Sequence, residues 1–177
     1  GSQMQTWALF WHIRELTEHP IALGGVGLVR ILPIIVFSLV GGAVADVANR
    51  RRVLFITQSA MALTAVGLAW LTLQDSITLW QIYLLTGLQA VAMAVNAPSQ
   101  QALVPNLVPA TDLSNAFSLT SMAMQTGAIL GPARSGLVIA YAGQFAVYAI
   151  NAVTYLAVIL ALILMGAVRQ EQDPSHR

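Results

Sequence analysis

Apolar positions run through this chain in six long blocks, separated by short polar interruptions rather than alternating with polar residues. The first block, about 4–14, is aromatic and apolar, with Trp7, Phe10 and Trp11. It is too short to cross a bilayer core, which takes about 20 residues, and reads as the outer half of a helix. The polar stretch from Glu15 to Pro20 is a turn, with the proline suited to the first turn of the next helix. Full spans are expected at about 22–45, 53–73, 79–97, 115–140 and 145–168. In the first of these Gly24 and Gly27 share a face that would admit a close neighbour, and Pro33 is a tolerated kink. The connection at Gln74-Asp75-Ser76 is so short that its flanking helices must be antiparallel neighbours. The segment from Pro98 to Asp112 is longer and is expected to hold a short amphipathic surface helix, with Asp112 or Ser114 capping the next span. Ala142-Gly143-Gln144 is a tight turn, and 169–177 begins a polar linker.

Composition sharpens this picture. Hydrophobic residues make up 57% of the 177 positions and charged residues 8%, with a mean hydropathy of +0.73. A soluble domain carries roughly a quarter charged residues. The fold class is therefore an all-α polytopic membrane protein, with residues 1–168 as one six-helix bundle whose first helix is incomplete. A net charge of +1 without a basic stripe argues against nucleic acid as a partner. There is no cysteine, and His12, His19 and His176 are scattered, so no thiolate or histidine metal site is expected. No nucleophile–base set, paired carboxylates or phosphate-cradling loop is present. The chain reads as a non-enzyme that needs no cofactor.

Charge placement carries the remaining information. Arg50, Arg51 and Arg52 are three of eight basic residues and lie in one short turn, which would hold that turn in the cytoplasm. Asp46 lies near the carboxyl end of the preceding helix, where the macrodipole disfavours an anion unless it has a cationic partner or a helix amino end to face. Arg30 sits roughly eight residues, about 12 Å, inside its helix. It either snorkels to the headgroups or faces a cavity. Arg134 lies at a similar depth in the span 115–140, on nearly the same side as the small-residue stripe Gly127, Gly131 and Ser135. Two arginines at one depth would make a basic outer cavity wall that favours anionic or zwitterionic cargo. Gln5, Gln89, Asn96, Gln125 and Asn151 are polar groups in apolar spans that either line a path or bond between helices. Gln5, Arg30, Gln125 and Arg134 are the candidate cavity residues.

These residues resemble the amino-terminal half of a major facilitator superfamily transporter. Gly42, Asp46, Arg50 and Arg51 are similar to the superfamily signature between helices 2 and 3, with Val47 and Asn49 departing from it. Gly127, Gly131, Pro132 and Gly136 are in register with the antiporter signature of helix 5, where Ser135 replaces a glycine and Arg134 an apolar residue. Gly1 to Thr6, Arg30 to Pro33, Gln101 to Pro105 and Leu107 to Pro109 resemble the enterobactin-exporter-like branch of drug and siderophore efflux proteins. An arginine is common there where Gln100 stands. The resemblance implies a fragment that begins inside helix 1 of a twelve-helix, two-half bundle in a bacterial cytoplasmic membrane. It implies small-molecule cargo and protons as transported partners, exchanged by alternating access. It also implies that Asp46 with Arg50 and Arg51 latches the cytoplasmic side, while helix 5 slides against the absent carboxyl-terminal half. An uptake permease of the same superfamily, or a non-transporting six-helix scaffold, are the competing expectations.

Overall fold

The computed structural model describes residues 1–47, 49–106 and 108–164, with the side chains of 39–41, 43–47, 106 and 110 left outside that description. Among the described residues every regular element is helical: α1 (Ser2–Leu16), α2 (Pro20–Val47), α3 (Arg50–Leu73), α4 (Leu79–Leu103) and α5 (Leu113–Leu164). Helices α2 to α5 are each long and apolar enough to cross a membrane.

Six separate helices were expected, and among the described residues five helical elements are found, the last of them two helical stretches joined at a kink. The segments 115–140 and 145–168 run together as α5, which is broken at Gly143 with φ 73° and ψ 178°. That conformation is essentially restricted to glycine, and it interrupts the helical hydrogen bonds that would span this residue. At 1.5 Å per residue its 52 residues span about 78 Å, enough for two crossings of a ~30 Å core. Space around the Gly143 Cα is open, so only the backbone conformation opposes a side chain there. Gly143→Ala is expected to lower stability by about 1–2 kcal/mol, read as an earlier thermal unfolding midpoint in detergent. Residues 165–168 of the expected last span and the linker 169–177 lie outside the described residues.

Other boundaries shift for local reasons. Helix α4 continues through Pro98 to Leu103 instead of ending there, because a membrane helix tolerates an internal proline. Thr78 caps its start, with the Thr78 hydroxyl and the Gln81 side chain reciprocally accepting backbone N–H groups. The connection after α4 holds two 3-10 turns, Val104–Asn106 and Ala110–Asp112, rather than the expected amphipathic helix. Its prolines at 105 and 109 shorten any longer helical run.

In the bundle α2 packs on α4, α4 on α3, α3 on α5 and α5 on α1. Among the described residues three clusters of buried residues lie along it, and the middle one is made largely of alanine. One end joins Ala8 and Ile13 of α1 with Val26, Leu68, Ile82 and Tyr148. The middle joins Met61 and Ala65 with Ala92, Ala152 and Tyr155, and the far end is Leu54, Leu103 and Leu162. Small residues let membrane helices meet through close van der Waals contact, which is the main attraction available in lipid. The expected close approach at Gly24 and Gly27 is not where α2 meets α4, since both face open space. It occurs instead at Gly25, against the Tyr83 ring, and at Gly87, against Val29. The Tyr83 hydroxyl lies over Gly25 and donates to the Ala22 carbonyl at 2.8 Å.

Candidate functional site

Two polar regions stand out from this apolar frame, one at the end of the bundle where α3 begins and one at mid-depth. At the first, Asn49 caps α3, its side chain accepting the Arg52 backbone N–H at 3.2 Å. The arginines expected in the turn itself therefore occupy the opening turn of α3. A cation at a helix amino end opposes its own macrodipole. The long side chains reach backbone carbonyls of two neighbours, in the last turn of α4, where orphan carbonyls concentrate negative charge, and in the last described turn of α5. Arg50 donates to the Ala102 carbonyl in the last turn of α4 at 2.8 Å. Arg51 donates through Nε to the Leu162 carbonyl at 2.9 Å and through Nη2 to the Ile163 carbonyl at 3.1 Å. The start of α3, the end of α4 and the α5 segment at Leu162–Ile163 are thus tied together over the Leu54–Leu103–Leu162 cluster. Gly42 is half-buried with open space at its Cα. Asp46 lies in the final turn of α2, and its side chain falls outside the described residues.

The second region is a hydrogen-bonded chain of side chains, buried at Gln5, Asn151 and Tyr155 and half-buried at Gln89. Gln5 of α1 donates to Gln89 of α4 at 2.7 Å and accepts from Asn151 of α5. Gln89 donates to the Tyr155 hydroxyl at 3.0 Å, which also pairs with Ser2 at 3.0 Å. Gln5 is 1% exposed and Asn151 fully buried, so these amides bond to each other rather than to water. Counted along α2 from Pro20, Arg30 is ten residues or about 15 Å deep, half of a ~30 Å core, and Gln89 is equally deep along α4. A small cavity of about 30 Å³ opens beside the chain, lined among others by Gln5, Thr6, Arg30, Thr86, Gln89 and Tyr155. The Arg30 guanidinium donates to Thr6 Oγ1 at 3.0 Å.

Of the four candidate cavity residues, Gln5 and Arg30 meet at this cavity. Gln125 and Arg134 do not line it, and both are exposed on α5. Nine residues separate them, which at 100° per residue is two and a half turns, so they lie on opposite faces of one helix. The helix-5 stretch divides in the same way. Gly131 is buried so tightly against α1 that an added Cβ would come within 2.7 Å of Gln3 Cβ, and Ser135 donates to the Met4 carbonyl at 3.0 Å. Gly127 and Gly136 face open space, and Pro132 is half-buried. The close-packed part of this stretch therefore serves the α1–α5 contact within the chain.

Tyr155, Thr86, Thr6 and Ser2 were not singled out from the sequence. Hydroxyl residues are common in membrane helices, and only the glutamines and asparagines signalled that the middle of the bundle is polar. Also unmarked was the link at the α1 carboxyl end, where Glu15 accepts from Trp11 Nε1 at 2.7 Å and from Gln144 Nε2 at 2.5 Å. Nearby, His12 Nδ1 and the Tyr148 hydroxyl are 3.2 Å apart.

Long apolar helices around a buried polar centre define a polytopic helical membrane protein. Comparison with known proteins narrows this: a family model described as transmembrane secretion effector matches residues 1–176. The chain belongs to this family of the major facilitator superfamily, multi-pass transporters of the bacterial cell membrane. It is similar to the Staphyloferrin A transporter of Staphylococcus aureus, 30% identical over 100% of this chain and 45% of that protein. It is similar also to the uncharacterized MFS-type transporter YfiS of Bacillus subtilis, 28% identical over 90% of this chain and 37% of the relative. The putative multidrug resistance protein MdtD of Escherichia fergusonii is 29% identical over 86% of this chain and 31% of its own length. The chain spans less than half the length of these curated relatives. No solved structure matches it.

Proposed function

We propose that the chain is the amino-terminal six-helix half of a secondary transporter that exports a small amphipathic molecule or siderophore in exchange for protons. The observation that carries this reading is the Gln5–Gln89–Asn151–Tyr155 chain beside a cavity at mid-bilayer depth. Polar side chains are costly in hydrocarbon, and those kept there usually mark the path of a transported species. Arg50 and Arg51 close the opposite, cytoplasmic end, so cargo held at mid-depth is open to one side at a time. Rocking against a second half would break the arginine clasp and open that end. Export rather than uptake is favoured by the helix-5 resemblance to antiporters and by the family description as a secretion effector. The spans 22–45, 53–73, 79–97, 115–140 and 145–168 contain no Asp or Glu. The proton therefore rides on Asp46 or on a carboxylate of the second half.

Everted vesicles from cells that make the complete natural protein test this reading, with an acid interior imposed and radiolabelled naphthalene-2-sulfonate and 2-naphthyltrimethylammonium as permanently charged probes. At least one is expected to accumulate above protein-free vesicles and to leave when the gradient is collapsed. Accumulation only in right-side-out vesicles would instead make the protein an uptake permease.

A further inference from the structure

The cavity at mid-depth is chemically one-sided. Arg30 is its only charged wall residue among the described residues, and the one acidic residue of α2 to α5 among them, Asp46, lies in the final turn of α2. The nearest acid along α2, Asp46, is sixteen residues away, about 24 Å. A guanidinium carries five N–H donors, and among the described residues Arg30 uses one of them, toward Thr6. The other side of the cavity holds Thr86, 2% exposed, whose hydroxyl has no hydrogen-bond partner among the described residues. A buried hydroxyl without a partner is unfavourable, and a half-buried guanidinium without an anion more so, unless a ligand supplies what both lack. Size narrows the ligand further. About 30 Å³ is roughly twice what one water-sized sphere needs, so there is room for a pair of oxygens. A whole drug-sized molecule needs ~300 Å³ or more.

We propose that this cavity is a head-group subsite for an oxyanion, the carboxylate or sulfonate of an amphipathic acid, held by Arg30 with Thr86 and the Gln5–Gln89 amides as neutral partners. Rearrangement of one amide turns a donor toward the anion while Tyr155 keeps the network connected. The apolar remainder of the cargo extends past Ile34 and Met93, both exposed at the cavity rim. A cationic head group is disfavoured by Arg30, since the cavity wall formed by the described residues holds no carboxylate to offset it. This assignment rests on the transport reading above and specifies its cargo as acidic.

Equilibrium binding to the purified complete protein in nanodiscs tests it, with naphthalene-2-sulfonate, naphthalene-2-sulfonamide and 2-naphthyltrimethylammonium as a matched anionic, neutral and cationic set. The anion is expected to bind tightest. Arg30→Gln should weaken it by roughly 10- to 100-fold while changing the neutral probe by less than about twofold. Arg30→Lys, which keeps the charge but not the fork, should fall between. It also supplies the reading should the glutamine variant not fold. Arg14→Gln, an exposed arginine outside the cavity, serves as the charge control. Equal anion binding by wild type and both Arg30 variants overturns the proposal, as does absent anion binding or preference for the cation. Arg30-dependent binding without movement of any probe in vesicles would leave the subsite standing and refute transport. Movement that is indifferent to Arg30 would do the reverse.

Discussion

Arg51→Ala will open the end of the bundle where α3, α4 and α5 meet, and its effect on transport will be larger than its effect on folding. The guanidinium bridges the consecutive carbonyls of Leu162 and Ile163, and charge-assisted bonds of this kind contribute about 1.5–3 kcal/mol when shielded. Arg51 is only partly buried, so solvent screening reduces this to roughly 1–2 kcal/mol. That is small beside the stability of a bundle but shifts a two-state conformational equilibrium by about 5- to 30-fold. Lysine cannot span Leu162 and Ile163 together, so Arg51→Lys should recover only part of the closed population. The chain contains no cysteine, which makes labelling readable. Leu103→Cys, buried at 8% exposure under the clasp, should react with a membrane-impermeant maleimide several-fold faster in the Arg51→Ala background. Equal rates would show that the arginine does not hold this end shut.

Gln5→Leu is the substitution expected to cost most in stability. Leucine is close to glutamine in volume, so the change removes hydrogen bonds without opening a cavity. It strands the Asn151 amide that donates to Gln5 and the Gln89 oxygen that accepts from it. Each orphaned buried group costs about 1–3 kcal/mol in a soluble core, whereas measured bonds between membrane helices average nearer 0.6 kcal/mol. The residue is 1% exposed and its partners belong to two other helices, so a total of about 2–3 kcal/mol is expected. Gln101→Leu, on the exposed side of α4, should change stability by less than ~0.5 kcal/mol. Denaturant unfolding of both variants in the same detergent gives the comparison. Equal midpoints would mean that the network does not bind α1 to α4 and α5.

Much of this architecture was legible because lipid imposes so simple a pattern. Helix positions followed from apolar length, and the break between the last two spans followed from Gly143. Gln5, Gln89 and Asn151 betrayed a polar centre because an amide in a span needs a partner. Partner identity was less accessible. Gly24 and Gly27 have the right spacing for a contact, yet the contact uses Gly25, because the Tyr83 ring arrives from α4 at an angle that no local pattern encodes. Arg30 and Arg134 match in depth but not in direction, and only the packing of α5 on α1 through Gly131 and Ser135 turns Arg134 outward. The resemblance implied a latch of Asp46 with Arg50 and Arg51 at this end, and the side chain of Asp46 lies outside the described residues. The carbonyls of Ala102, Leu162 and Ile163, to which the two arginines donate, carry no side-chain signal at all.

The central claim is export driven by protons, and movement of a charged probe into everted vesicles measures it most directly. With the interior acid, naphthalene-2-sulfonate should accumulate in vesicles that contain the complete protein, and a protonophore should release it. No accumulation above protein-free vesicles of either charged probe, or accumulation that survives collapse of the gradient, would contradict proton-coupled export.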